Sequence, residues 1–198
     1  MAELALQPRL PVGAIGRKSL GWWGVLTLIA TEGSLFAYLL FCYLYYAVQL
    51  DRSWMPGPPP SLRLALPNTI ILLLSSVAVW AGERGVIRGR RGLHLAGLAL
   101  ALLLGTVFVG VQLLEWHDKP YSFRSGLYAS LYFTTTGFHM AHVVLGLVVL
   151  LVILIASCLR YYDTRRNAPV LIGSAYWHFV DVVWLFVFTV YYLTPRVM

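Results

Sequence analysis

The chain has 198 residues, 59% of them hydrophobic and 12% charged, with a formal net charge of +7 and a mean hydropathy of +0.73. Soluble domains carry about twice that charged fraction, so the composition excludes a sizeable soluble domain and indicates an integral membrane protein. The basic residues fall between apolar stretches rather than in a patch interleaved with exposed aromatics, which argues against a nucleic-acid partner.

Residues 1–20 hold Arg9, Arg17 and Lys18 with prolines and no apolar core, so they read as a tail and not as a cleavable signal peptide. A spanning helix needs about 20 mostly apolar residues. The first such stretch covers about 21–48 and ends before Asp51-Arg52. Pro56, Pro58, Pro59 and Pro60 make the next loop non-helical. A second stretch covers 62–82, with Pro67 near its first turn, and a third covers 93–116. The fourth, 124–159, would be about 50 Å long at about 1.5 Å per residue. It exceeds the bilayer and should tilt or project. The fifth covers 173–194. The expected architecture is therefore all-α, a bundle of five transmembrane helices over residues 21–198 behind the tail.

Ten Lys and Arg residues fall on the side of the N-terminus and five on the other. The positive-inside rule then puts the N-terminus in the cytoplasm and the C-terminus outside. Cys42 and Cys158 come near opposite faces in this topology, which argues against a disulfide. No internal repeat supports an inverted-repeat transporter.

Ionisable residues inside spans are costly and mark function. Glu32 stands about 16 Å into the first span, near the midplane. It reads either as a neutral acid hydrogen-bonded to a neighbouring helix or as a proton-linked carboxylate or part of a lipid pocket. His139 and His142 are three apart on the fourth span, and His178 and Asp181 repeat that spacing on the fifth. Each pair shares a helix face. With Glu32 they resemble a membrane metal site, but there is no Glu-x-x-His unit, Cys-x-x-Cys or Met cluster, and an interhelical hydrogen-bond network is the better reading. Gln112 and Glu115 are also three apart, and Glu115-Trp116 lies at the outer interface, where a carboxylate can stay hydrated. Trp22, Trp23 and Trp116 read as interfacial anchors. Asn68-Thr69 and Ser75-Ser76 suggest close packing of the second span. No nucleophile with its base, phosphate loop or haem-attachment motif occurs.

Five of these segments, in order, resemble the signatures of haem-copper oxidase subunit III, the cytochrome c oxidase subunit 3 family. They are Trp23-Gly24 leading to Thr31-Glu32; Asn68-Thr69 with Ser75-Ser76; Gln112-x-x-Glu115-Trp116; Thr136-Gly137-Phe138-His139-x-x-His142-Val143; and Trp177-His178-Phe179-Val180-Asp181-Val182-Val183-Trp184. The likeness spans Gly21 to Leu193. Long members of the family have two further helices at the start; the short bacterial forms, some of them quinol oxidase subunits, do not. Thr31 stands where Ser is usual, and the loop from Arg160 to Gly173 lacks the acidic residue often found before the last helix.

The resemblance implies a non-catalytic subunit of a hetero-oligomeric complex in a bacterial plasma membrane. It would pack with oxidase subunits I and II, hold phospholipid and support proton uptake. Haem and copper would reside in those partners, and this chain's five histidines cannot make their six-ligand set. The electron donor, cytochrome c or quinol, is a property of the other subunits. Two readings stand beside this one: an accessory subunit of a nitric oxide reductase, and an independent proton-coupled carrier using Glu32 and Asp181.

Overall fold

The computed structural model describes residues 19–50, 54–55 and 60–197. Almost all of the expected tail, with Arg9, Arg17 and Lys18, and the loop residues Asp51, Arg52 and Pro56 to Pro59 lie outside them. The described residues form α1 (Leu20–Gln49), α2 (Leu62–Ile87), α3 (Arg91–His117), α4 (Leu127–Cys158) and α5 (Ala168–Phe188). A π-helical turn (Thr189–Leu193) and a short α6 (Thr194–Val197) continue α5. Five helices are long and apolar enough to cross a membrane, the last counted through Arg196.

Helix ends follow local chemistry. Ser19 Oγ accepts from Trp22 N–H at 3.2 Å and Ser61 Oγ from Arg63 N–H at 3.2 Å, capping α1 and α2. Pro67 sits in the second turn of α2, deeper than expected. α2 and α3 are joined by the turn Arg88-Gly89-Arg90, in which Gly89 has φ +68°. α4 starts at Leu127 rather than 124, because Gly126 at φ +142° breaks the approach. α5 starts at Ala168, five residues before the expected 173, with Pro169 in its first turn. A missing N–H costs nothing at that position.

α2 and α3 make the most extensive contact of any pair, while α1 packs on α4 and α5. The α2–α3 crossing depends on absent side chains: a Cβ at Gly97 would come within 2.6 Å of Ala78 O and Gly82 N. α5 is the core element and touches α1, α2 and α4. Trp177 lies between Gly105 of α3 and Gly146 of α4, where an added Cβ would meet its ring at 2.8 Å in each case. Its Nε1–H donates to Ser75 Oγ at 3.0 Å, and one heptad on, Trp184 Nε1–H donates to Thr69 Oγ1 at 2.9 Å. Both hydroxyls pass their own protons to carbonyls of α2, at Leu72 and Ala65. Every buried polar atom in these two ties is thereby partnered, as a low-dielectric interior demands.

Candidate functional site

The polar residues expected to act together fall into three groups. The first lies between α1 and α4. His142 Nδ1 is 2.7 Å from the Phe138 carbonyl, which only accepts, so Nδ1 carries a hydrogen. His142 Nε2 is 3.2 Å from Glu32 Oε2. A single proton therefore bridges the pair, as a carboxylic acid donating to imidazole or an imidazolium donating to carboxylate. Phe36 lies edge-on to His142 at 5.1 Å and to His139 at 6.4 Å. Glu32 and His142 keep 29% and 14% side-chain exposure, so the pair is reachable from the flank of the bundle.

The second group faces α2. His178 Nδ1 is 2.5 Å from Ser76 Oγ. Asp181, one turn on, is 3% exposed, and neither carboxylate oxygen has a hydrogen-bond partner among the described residues. Ser76 lies beside both residues. His139 stands between the two groups, donating from Nε2 to Val180 O at 3.2 Å with its ring 4.8 Å from that of Trp184. Among the described residues, no three His, Cys, Asp or Glu side chains converge as a metal site would require.

The third group lies where α3 ends and is dry, not hydrated as expected. Glu115 is 5% exposed and Gln112 1%. Glu115 Oε1 accepts from Lys119 Nζ at 2.8 Å, from Tyr192 OH at 2.7 Å and from Tyr132 OH at 3.3 Å. The two tyrosine oxygens are 2.9 Å apart. Lys119 lies over the Tyr132 and Tyr192 rings at 5.0 and 5.7 Å, a cation–π arrangement. Asn68 Nδ2–H donates to Phe108 O at 3.2 Å, one turn below Gln112 on α3. Asn68 Oδ1, both amide atoms of Gln112 and Glu115 Oε2 are buried without partners among the described residues. The interior thus has acceptor and donor capacity that its own side chains do not fill.

The π-helical turn carries one member of the third group, Tyr192. Its neighbour Tyr191 is fully buried as well. From this turn Tyr192 reaches Glu115, while Tyr191 reaches Thr135 Oγ1 at 2.9 Å and its ring lies 4.4 Å from that of Tyr43, tilted by 52°. Such turns are rare and often occur where function requires a changed register.

A family model described as cytochrome c oxidase subunit III matches residues 16–195. The chain belongs to the cytochrome c oxidase subunit III family. Relatives include cytochrome c oxidase subunit 3 of Scyliorhinus canicula, 31% identical over 179 residues, covering 86% of this chain and 68% of the relative. That of Cyprinus carpio is 32% identical with the same coverage. That of Branchiostoma lanceolatum is 33% identical over 178 residues, with 85% and 67% coverage. This chain is thus a multi-pass membrane member of the subunit III family and a component of a hetero-oligomeric oxidase complex.

Within this subunit III fold, sequence reasoning missed Lys119, Tyr132 and Tyr192. Lys119 had a signal, since it stands four residues after Glu115 on the same face. The tyrosines had none, because Tyr132 and Tyr192 are 60 residues apart and meet only through the packing of α4 on the end of α5. Ser76 was singled out only as a small packing residue, although it touches His178.

Proposed function

We propose that the chain is the redox-inactive subunit III of a respiratory haem-copper terminal oxidase that reduces oxygen to water and pumps protons. In this reading it packs on subunit I, with haem and copper held by subunits I and II. The family match over residues 16–195 carries the proposal. The Glu32–His142 pair supplies its chemistry: a neutral, largely buried unit holding one movable proton at membrane depth. It acts as a proton-linked element that supports uptake by the catalytic core. His139 and His178 tie the helices beside it together, with Asp181 buried next to them. A phospholipid is bound against the first helix and the last three. Because α1 meets α4 directly at Glu32 and His142, this lipid lies to one side of that contact. The Lys/Arg asymmetry supports a cytoplasmic N-terminus, and the likeness to short family members supports a bacterial plasma membrane.

Pull-down through this chain, with mass-spectrometric composition and haem spectrum, tests the assignment. Haem should appear with the complex and be absent from the chain purified alone. A chain that carries haem by itself, or that travels with no haem protein, contradicts the proposal. Glu32→Ala, in complexes of equal haem content, should leave the initial oxygen-consumption rate intact and shorten sustained turnover. Complete loss of the initial rate would mean that Glu32 acts in the chemistry itself.

A further inference from the structure

The α2–α3 turn and the loop between α4 and α5 close on each other around a second site, remote from the polar groups above. Arg91 Nη2–H donates to Cys158 O at 3.0 Å, and a Cβ on Gly89 would stand 3.5 Å from Thr164 Cγ2. Between the two loops is a cavity of about 280 Å³ lined by Arg91, Arg160, Tyr162, Thr164, His94 and Ser157.

Most of its acceptors are already used. Leu159 N–H, Tyr161 N–H, Arg160 N–H and Arg91 take the last four carbonyls of α4, those of Ile155, Ala156, Ser157 and Cys158. Asp163, which also borders the cavity, accepts the N–H groups of Arg165 and Arg166 on Oδ1, each at 2.7 Å. His94 is 3% exposed, and both its ring nitrogens are committed, to Gly82 O and to Ser157 Oγ, each at 2.8 Å. The donors are in surplus. The Arg160 guanidinium and the Tyr162 and Thr164 hydroxyls hydrogen-bond to no described residue, and Arg91 uses one of its N–H groups. Seven arginines (84, 88, 90, 91, 160, 165 and 166) stand against Glu83 and Asp163 in these two segments.

A cavity with two guanidinium groups, two free hydroxyls and little acceptor capacity fits a ligand that only accepts and is negatively charged. Guanidinium matches phosphate oxygens in a fork geometry. Basic pockets between helices at the membrane edge are where anionic headgroups dock. We propose that this cavity binds a phosphate group through Arg91, Arg160, Tyr162 and Thr164, carried by an anionic phospholipid or by a phosphate-bearing solute. Arg160 holds its side chain at this place from a backbone φ of +63°, the one positive φ at a non-glycine position among the described residues.

The assembled complex, extracted from vesicles of phosphatidylcholine and phosphatidylglycerol, is examined by native mass spectrometry. In parallel, delipidated complex is titrated with inorganic phosphate and its thermal midpoint followed. Arg160→Gln changes an exposed residue and keeps the Arg91–Cys158 tie; Arg165→Gln removes the same charge outside the cavity. The loss of a charge-assisted contact predicts retention or affinity weakened by about tenfold or more in Arg160→Gln and near wild-type behaviour in Arg165→Gln. Selective loss of one retained phosphatidylglycerol assigns the site to a lipid. Selective loss of the phosphate-induced shift, with no lipid retained, assigns it to a solute. Equal effects of the two variants, or neither lipid nor phosphate bound by wild type, would overturn the proposal and leave only a diffuse positive field. None of these readouts depends on oxidase activity.

Discussion

Glu115→Gln tests the physics of the cluster at the end of α3. Glu115 Oε1 receives Lys119, Tyr192 and Tyr132, and the side chains of Glu115 and Lys119 are 6% and 8% exposed. The amide can still accept from Tyr192, but it leaves the ammonium without a counter-charge. Removing one partner of a buried pair costs about 3–5 kcal/mol. With one acceptor bond retained, the lower end applies, about 3 kcal/mol, or on the order of a hundredfold in the unfolding equilibrium. Lys119→Met should cost less, about 1–3 kcal/mol, because two tyrosine hydroxyls still serve the carboxylate. Glu115→Gln combined with Lys119→Met removes both charges, so its cost should fall short of the sum of the singles by about 1–3 kcal/mol. Denaturation midpoints of the four purified complexes in mild detergent, followed by tryptophan fluorescence, give the cycle. Strict additivity, or a wild-type midpoint for Glu115→Gln, would show that the pair is not held in a dry interior and would refute the reasoning.

Gly97→Ala should lower the same midpoint by the equivalent of about 1–3 kcal/mol, since the new methyl meets backbone at 2.6 Å that cannot swing away. Gly110→Ala, with nothing within 4 Å, should be neutral or stabilising; equal effects would show that the helix crossing is not the cause. Asp163 accepts two backbone N–H bonds that hold its carboxyl below the ordinary 3.8. A depressed folded value means the loop's added order is present above that ordinary value and lost as pH falls through the folded one. Hydrogen exchange of the 160–168 segment, corrected for intrinsic rates, should therefore be flat from pH 7 to about 4 in wild type and faster throughout in Asp163→Asn. Loss of protection near neutral pH in wild type would contradict this. Reporter fusions should place the N-terminus in the cytoplasm and the C-terminus outside, on the ten-to-five division of Lys and Arg; an external N-terminus would reverse the topology.

The spans were legible because lipid allows few ways to satisfy a backbone, so a long apolar run means a helix. Their ends were less so. Pro169 reads as a breaker until one sees that the first turn needs no N–H there. The polar residues were legible as a set but not as an arrangement. A spacing of three places His139 with His142, and His178 with Asp181, on one face of each helix. It does not say which neighbour that face meets, and the structure sends His142 to α1 and His178 to α2. That choice belongs to packing over more than 100 residues of separation, set partly by glycines 105 and 146 around Trp177. The burial of Glu115 was misread for a related reason. Its depth suggested water, but its surroundings are Tyr132 of α4 and Tyr192 of the π-helical turn.

α5 is the most enclosed of the five spans and the last of them to leave the ribosome. Each of the buried faces of α2 and α4 that carry Thr69, Ser75, Thr135 and His139 finds its partner on α5 or on the turn that continues it. Until that helix enters the bilayer, those groups lack their partner from α5, and the faces that carry them are uncovered. The α2–α3 hairpin can settle early, because its contacts are local and its turn is three residues long. The complete bundle cannot. During biogenesis the nascent subunit must therefore spend an interval with a polar-lined opening facing lipid, the interval in which a membrane insertase would have something to shield and a quality-control protease something to recognise. A premature stop before Ala168 would make that interval permanent.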